Sequence, residues 1–343
     1  MAAAALSTIY PTYLDFASRQ DPDGKISSAI IEQASKTNEI LDEMAVQEGN
    51  LPTGNRTTIR TGIPTATWRL LNYGVVPTKS LTAQVDDTCG MLEIYNEVDV
   101  DLAELNGNTP KWRLSEAKGS IEGMNQQVAT ALFYGAQATN PEQFTGLMPR
   151  YPYFRKAVMV PSECNYNCIT NQATGGSATN TSIYLVVWGP ETLFAFYPKG
   201  SAGGGIKHES WDNVTALDNQ TVPGRFQVHR DHFQWKIGLA QRDWKYAVRI
   251  CNIDSAVISS SVATVAEAMV KAYYAVPNVN AGNAVFYMNS LCMWSMQLQA
   301  RVQPNLALSF DEYMGKKVAS FMGIRVRKCD GLLNTEAAVT VAT

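Results

Sequence analysis

Between Leu51 and Val85 the chain carries four basic side chains, Arg56, Arg60, Arg69 and Lys79, and no acidic one. The segment is rich in Thr, Gly and Pro, lacks helical periodicity, and offers few residues that could fill a core. Thr57–Arg60 and Trp68–Leu71 read as short strands, punctuated by Gly62-Ile-Pro64 and by Tyr73-Gly-Val-Val-Pro77. Such a stretch is expected to fold as a long two-stranded arm projecting from the body. At about 3.3 Å per residue, its folded-back length reaches roughly 50–60 Å. An isolated hairpin is marginal in water, so the arm needs a partner surface. An ordinary edge hairpin packed on its own domain fits the same residues.

The sign of the charge then inverts. Asp86, Asp87, Glu93, Glu97, Asp99, Asp101 and Glu104 fall between Asp86 and Pro110 with no Lys or Arg among them. Residues 1–50 hold three basic and eight acidic side chains, whereas Lys111 to Thr343 hold 21 basic and 16 acidic ones. A formal charge of −3 over 343 residues therefore conceals opposed blocks. Opposed blocks favour encounters between complementary surfaces, within or between chains. The overall balance excludes a strongly basic, histone-like nucleic-acid binder, and the seven Trp, 15 Tyr and 11 Phe exclude disorder. Charged residues make up 17% of the chain, below the roughly 25% of typical soluble domains. That suits a surface largely covered by neighbouring subunits.

Met1-Ala-Ala-Ala-Ala-Leu6 has no basic region before Arg19, so no secretory signal is expected. No apolar run approaches the roughly 18 residues of a membrane span, and no membrane partner is expected. Cys89, Cys164, Cys168, Cys251, Cys292 and Cys329 are scattered, and read as reduced, mostly buried thiols.

A helix is predicted from a cap at Ser115 to about Ala138, ended by Asn140-Pro141. Ala117, Ile121, Met124, Val128, Ala131, Leu132 and Gly135 form its apolar stripe. Gly119 and Gly123 each weaken it by roughly 1 kcal/mol, a cost more intelligible if another backbone approaches there. An ordinary amphipathic core helix accounts for the stripe equally well. Further along, strands are expected at Ala157–Pro161, Ser182–Trp188, Thr192–Tyr197, Phe226–Gly238, Trp244–Asn252, Ala284–Met288 and Phe321–Lys328. Helices are expected at Ser261–Tyr274 and Ser290–Ala300.

Catalytic motifs are absent or broken. Gly200-Ser-Ala-Gly-Gly-Gly205-Ile-Lys207 displaces the phosphate-loop lysine and lacks the following Ser or Thr. Gly175-Gly-Ser177-Ala-Thr179 puts Thr where a nucleophile elbow needs Gly. His229 and His232 point to opposite faces of a strand, which does not suit one metal ion. Cys164 and Cys168 have no second pair to complete a zinc site. No enzymatic activity, metal or cofactor is expected.

The order of segments, rather than any single motif, carries a family resemblance. An acidic N-terminal segment, a basic arm and a long helix ending Leu132-Phe-Tyr-Gly135 come first. Then follow Trp188-Gly-Pro-Glu191, Tyr197-Pro-Lys-Gly200, Arg230-Asp-His-Phe-Gln-Trp235 and Tyr246-Ala-Val-Arg-Ile-Cys-Asn-Ile-Asp254. Met322-Gly-Ile-Arg-Val-Arg-Lys-Cys-Asp330 and Thr335-Glu336 close the chain. This resembles tailed-bacteriophage major capsid proteins of the Hong-Kong-97 type, in the branch of short-tailed phages similar to epsilon-fifteen.

The resemblance implies an α+β fold. It divides into an N-terminal arm (1–50), an extended β-hairpin loop (51–85), a peripheral domain with a spine helix (86–150), a mainly axial domain (151–314), and a return strand with the C-terminus (315–343). It also implies self-assembly into pentamers and hexamers of an icosahedral shell around double-stranded DNA, in a virion assembled in the bacterial host cytoplasm. A scaffolding protein, a portal and a decoration protein are the implied partners, with non-specific DNA contact. The chain begins almost directly with the arm, which leaves scaffolding to a separate protein. Some relatives form a Lys–Asn crosslink between subunits; Lys79 lies near the base of the arm, and none is expected here.

The expected subunit interface joins Arg56, Arg60, Ile63, Trp68 and Arg69 of the arm to an acidic surface. Asp86, Asp87, Glu93, Glu97, Asp99, Asp101 and Glu104 are the leading candidates for that surface. Exposed ion pairs contribute only about 0–1 kcal/mol each, so the apolar residues must add burial at roughly 25 cal/mol per Å². An encapsulin-like protein nanocompartment and a β-rich carbohydrate-binding module are the alternatives.

Overall fold

The computed structural model describes residues 10–11, 38–105, 109–152, 167–170, 179–201, 203–217, 224–255, 258–302, 308–313 and 316–339. The expected strand Ala157–Pro161 and Cys164 lie outside them. In chain order the elements are α1 (Ile40–Glu43), β1 (Val46–Glu48), β2 (Gly54–Gly62), β3 (Leu81–Thr88), β4 (Gly90–Asp99), α2 (Val100–Glu104) and α3 (Thr109–Tyr134). Next come β5 (Cys168–Thr170), β6 (Asn180–Trp188), β7 (Leu193–Tyr197), β8 (Lys207–Leu217), β9 (Arg225–Gln241) and β10 (Ala247–Asp254). The last are α4 (Ile258–Ala275), β11 (Asn283–Met288), α5 (Ser290–Val302), β12 (Leu308–Tyr313), β13 (Lys316–Phe321) and β14 (Ile324–Lys328). The described residues fall into two compact units, one drawn from Met91–Gln127 and Gly205–Lys236, the other from Lys36–Gly90, Val128–Gly204 and Ile237–Thr343.

The second, larger unit is built on β6, whose residues are all buried. Its run from Ile183 to Trp188 is continuously apolar, as a strand covered on both faces requires. β10 and β11 flank it antiparallel; β14, β13 and β12 extend the sheet beyond β11. On one face Ile183, Leu185 and Val187 share a core with Val265 and Met269 of α4 and with Cys292 and Met296 of α5. Each such buried side chain contributes about 1.5–3 kcal/mol relative to exposure. Elsewhere Tyr184 and Tyr287 pack around Phe133 on the last turn of α3, at ring distances of 5.1 and 6.4 Å.

The smaller unit comprises β8, most of β4, β9 as far as Lys236, α2 and the first part of α3. β8 pairs antiparallel with β9, interrupted by a bulge between Trp211 and Val214 where Asn213 takes a φ of 54°. β4 lies on the other side of β9. Trp112 is completely buried with Val98, Leu102 and Ala103.

Several expectations are corrected. α3 starts at Thr109 rather than Ser115, because Pro110 occupies a first-turn position where its missing N–H has no cost. It ends at Tyr134 because the chain returns against Gly135, where a Cβ would sit 2.5 Å from the Phe144 carbonyl oxygen. Apart from the local backbone of α3 itself, nothing among the described residues lies within 4 Å of a Cβ built at Gly119 or Gly123. The backbone approach suggested by those glycines is therefore not made within the described part of this chain. Phe321–Lys328 is not one strand; Met322 (φ 51°) and Gly323 (φ 80°) make a two-residue turn between β13 and β14. Trp244–Tyr246 is a short 3-10 turn capped by Asp243, and β10 begins only at Ala247. Trp68–Leu71 is not a strand, since the partner of β2 starts later, at Leu81.

Candidate subunit interface

The ribbon of β2 and β3 is fixed at its root. Gly54 pairs with Thr88, and a Cβ there would lie 2.1 Å from the Asp87 carbonyl oxygen, so only glycine allows this register. The buried Asp87 carboxylate accepts from Arg150 Nη2 at 2.8 Å, and Arg150 also donates to the carbonyls of Leu239 at 2.9 Å and Thr145 at 3.1 Å. Thr88 donates to Gln137 Oε1 at 2.8 Å. One rung further out, Asn50 brackets Arg56, accepting its N–H and donating to its carbonyl, both at 2.7 Å.

Arg56 grips Asp86 on the opposite strand with two bonds of 2.6 and 2.7 Å. The Arg56 hydrogen bond holds the Asp86 carboxyl below its ordinary range. Two residues expected to meet across subunits thus already meet within one ribbon.

Beyond Gly62 the two sides run without pairing to a turn closed by Tyr73 N–H to Leu70 O, 3.1 Å, with Asn72 at φ 68°. Arg69 Nε donates to Tyr73 O at 2.9 Å and Thr78 Oγ1 to Thr65 O at 3.3 Å. The tip's polar groups are thus partly engaged with one another while its apolar side chains are not covered. Ile63 is 84%, Trp68 101% and Leu71 83% exposed; Leu70, Tyr73 and Val76 are exposed as well. So many large apolar side chains left exposed within one short segment mark an association site. Arg60 is exposed on β2.

The rest of the acidic block lies on β4 and α2. Glu97 accepts from Arg230 Nε at 2.5 Å, and Asp99 caps α2 by accepting from the Asp101 N–H at 2.9 Å. Asp101 and Glu104 are exposed. Glu93 accepts from Gln234 Nε2 and lies 3.5 Å from His232. His232 is stacked between Tyr95, at 4.3 Å, and Trp211, at 5.9 Å, making a three-ring ladder across β4, β9 and β8.

The alternate side of β9 carries Asp231, gripped by Arg113 of α3 through bonds of 2.9 and 3.0 Å. Arg113 also donates to Asp212 at 2.7 Å and to Ser210, and His208 Nε2 lies 3.0 Å from Asp231. Burial raises the Asp231 carboxyl, but bonds from Arg113 and His208 outweigh it and hold the group below its ordinary value. His229 contacts Asp212 at 3.2 Å. Sequence reasoning placed His229 and His232 on opposite faces but missed Tyr95, Trp211, Arg113 and Asp212. The alternation of Met91, Glu93 and Tyr95 with Leu92 and Ile94 was the one readable sign of β4.

Comparison with known proteins adds the following. The profile of the family described as major capsid protein GP7 matches residues 21–340. The structure of bacteriophage Epsilon15 contains a chain 36% identical, with 99% of each chain covered and a TM-score of 0.72. The bacteriophage JBD30 capsid is 8% identical, covering 87% of this chain and 91% of that one, with a TM-score of 0.48. The holo-SrpI encapsulin complex from Synechococcus elongatus PCC 7942 is 9% identical, covering 70% and 95%, at 0.43. No curated protein sequence matches.

Proposed function

The chain belongs to the family of the major capsid protein GP7, and on that premise we propose how its copies hold one another. It is a shell-forming phage capsid protein with an α+β fold of the Hong-Kong-97 type. The proposed contact lays the ribbon of one copy across a neighbour around rings of five and six. Arg60, Arg69 and the apolar residues Ile63 and Trp68 make it, and Glu93, Glu97, Asp99, Asp101 and Glu104 are proposed on the receiving side. Arg56, Asp86 and Asp87 hold the ribbon in shape for that contact. The supporting observation is the ribbon tip, whose apolar side chains no described residue of its own chain covers.

Double-stranded DNA is the proposed content of the shell, with host-cytoplasm assembly. A scaffolding protein, a portal and a decoration protein are the proposed partners; these rest on the family likeness alone. Reversing charge at Arg60 and Arg69 together should cut particle yield in electron micrographs while the subunit stays folded. Normal yield would overturn the ribbon contact. Nuclease-protected double-stranded DNA in purified virions is expected, and particles holding only protein cargo would overturn that part.

A further inference from the structure

Within the smaller unit, the first half of α3 and the β8–β9 pair enclose a groove of about 560 Å³. Leu114, Ala117 and Ile121 form one wall; Ile206 and Phe233 contribute to the other. Leu114 is exposed although its neighbours in the lining are apolar. The lining also includes Arg113 and Asp231, and Asp212 shares the same guanidinium. Arg113 therefore meets two carboxylates, and the further contacts those carboxylates make among the described residues are to imidazoles, Asp231 to His208 and Asp212 to His229.

The ribbon tip has the complementary character. Trp68 is fully exposed, so it does not occupy the groove of its own chain. Arg69 follows it directly, and no acidic residue occurs between Leu51 and Val85. An indole brings about 150–250 Å² of surface to bury, and a buried aromatic anchor beside an arginine is the usual composition of an energetic centre at an interface.

We propose that this groove receives Trp68 of a second copy of the chain, with Arg69 directed at Asp212 and Asp231. The proposal rests on the shell reading and names the surface that takes the ribbon tip, leaving Glu93, Glu97, Asp99, Asp101 and Glu104 as the proposed partners of Arg60 alone. It also assigns a use to a face of α3 that its own unit leaves uncovered at Leu114.

The test uses assembled shells. Subunits with the photocrosslinker benzoylphenylalanine in place of Trp68 are co-assembled with an excess of isotopically heavy wild-type chain, so that shells form whatever the variant does alone. After irradiation, adducts are mapped by mass spectrometry. Light–heavy adducts on Leu114–Ile121 or on Ile206–Phe233 are expected. Adducts elsewhere on the neighbour, adducts within the same chain, or none would overturn the groove while leaving the shell reading intact. Failure of the wild-type chain alone to form shells would instead count against the shell reading. In parallel, Ala117→Trp fills the groove from within and should lower shell yield at least tenfold with an unchanged melting curve. Normal yield from that folded variant would overturn the proposal, and if the variant does not fold the crosslink map decides.

Discussion

Arg249 donates to Glu336 at 2.9 Å with only 3% and 4% of the two side chains exposed. Around this pair Ser182 and Tyr134 each donate to Glu336 at 2.5 Å, and Arg249 reaches the carbonyl of Tyr151 at 3.0 Å. The backbone of Glu336 also exchanges hydrogen bonds with Asn180. The end of the described chain is thereby fastened to β6 and β10. Glu336→Ala strands a buried guanidinium and should cost about 3–5 kcal/mol in urea unfolding, with most of the loss recovered when Arg249→Met is added. A loss near zero for the single change would show that water reaches Arg249.

Asp87 and Arg56 lie on the same ribbon but differ in burial, and their variants should separate accordingly. The Asp87 carboxylate is 5% exposed and shares Arg150 with two carbonyls. Asp87→Ala should therefore cost about 3 kcal/mol. It should also open the segment between Leu51 and Thr88 to limited proteolysis. Arg56→Ala, in an exposed pair, should leave the unfolding midpoint where it was. Equal midpoints for the two variants would contradict the anchored root.

Asp231 gives a pH dependence of definite sign. Its folded value lies below the ordinary one because Arg113 and His208 outweigh burial. The stabilisation is complete above the unfolded Asp value of about 3.9 and is lost as pH falls through the lower folded value. Asp231→Asn should melt earlier than wild type at pH 7 and show a shallower fall in melting temperature below about pH 4. Parallel curves for the two proteins across that window would refute the assignment.

Met322 holds a φ of 51°, a conformation that side chains larger than Asn seldom take. Met322→Asn should stabilise the β13–β14 hairpin by about 0.5–1 kcal/mol, seen as a shifted urea midpoint with unchanged slope. A destabilised variant would mean that the half-buried Met322 side chain packs more usefully than its backbone is strained.

What the sequence made legible follows apolar density. β6, β11 and α5 appear nearly where the apolar runs predict them, because a strand buried on both faces needs no knowledge of its partners. β8 escaped notice, since its residues from Lys207 to Leu217 are mostly exposed and polar. The Met322–Gly323 turn was hidden because methionine carries no turn signal. At the candidate interface the charge blocks were readable, but their pairing was not. Arg56 with Asp86, Arg150 with Asp87 and Arg230 with Glu97 are separated by 30, 63 and 133 positions. Only the folded chain brings them together. Trp68–Leu71 looked like a strand from its composition, yet a strand is defined by a neighbour that this segment does not find among the described residues.

The ribbon is fastened at one end by Asp87 and Arg150 and bare at the other around Trp68. Selection on the free subunit and selection on the finished particle therefore act on different stretches of the same hairpin. A mutational screen that scores subunit stability should be intolerant at Gly54 and Asp87 and indifferent at Trp68, Leu70 and Leu71. A screen that scores infectious particles should be intolerant at all five. The positions where the two screens disagree would trace the surface that exists only in company.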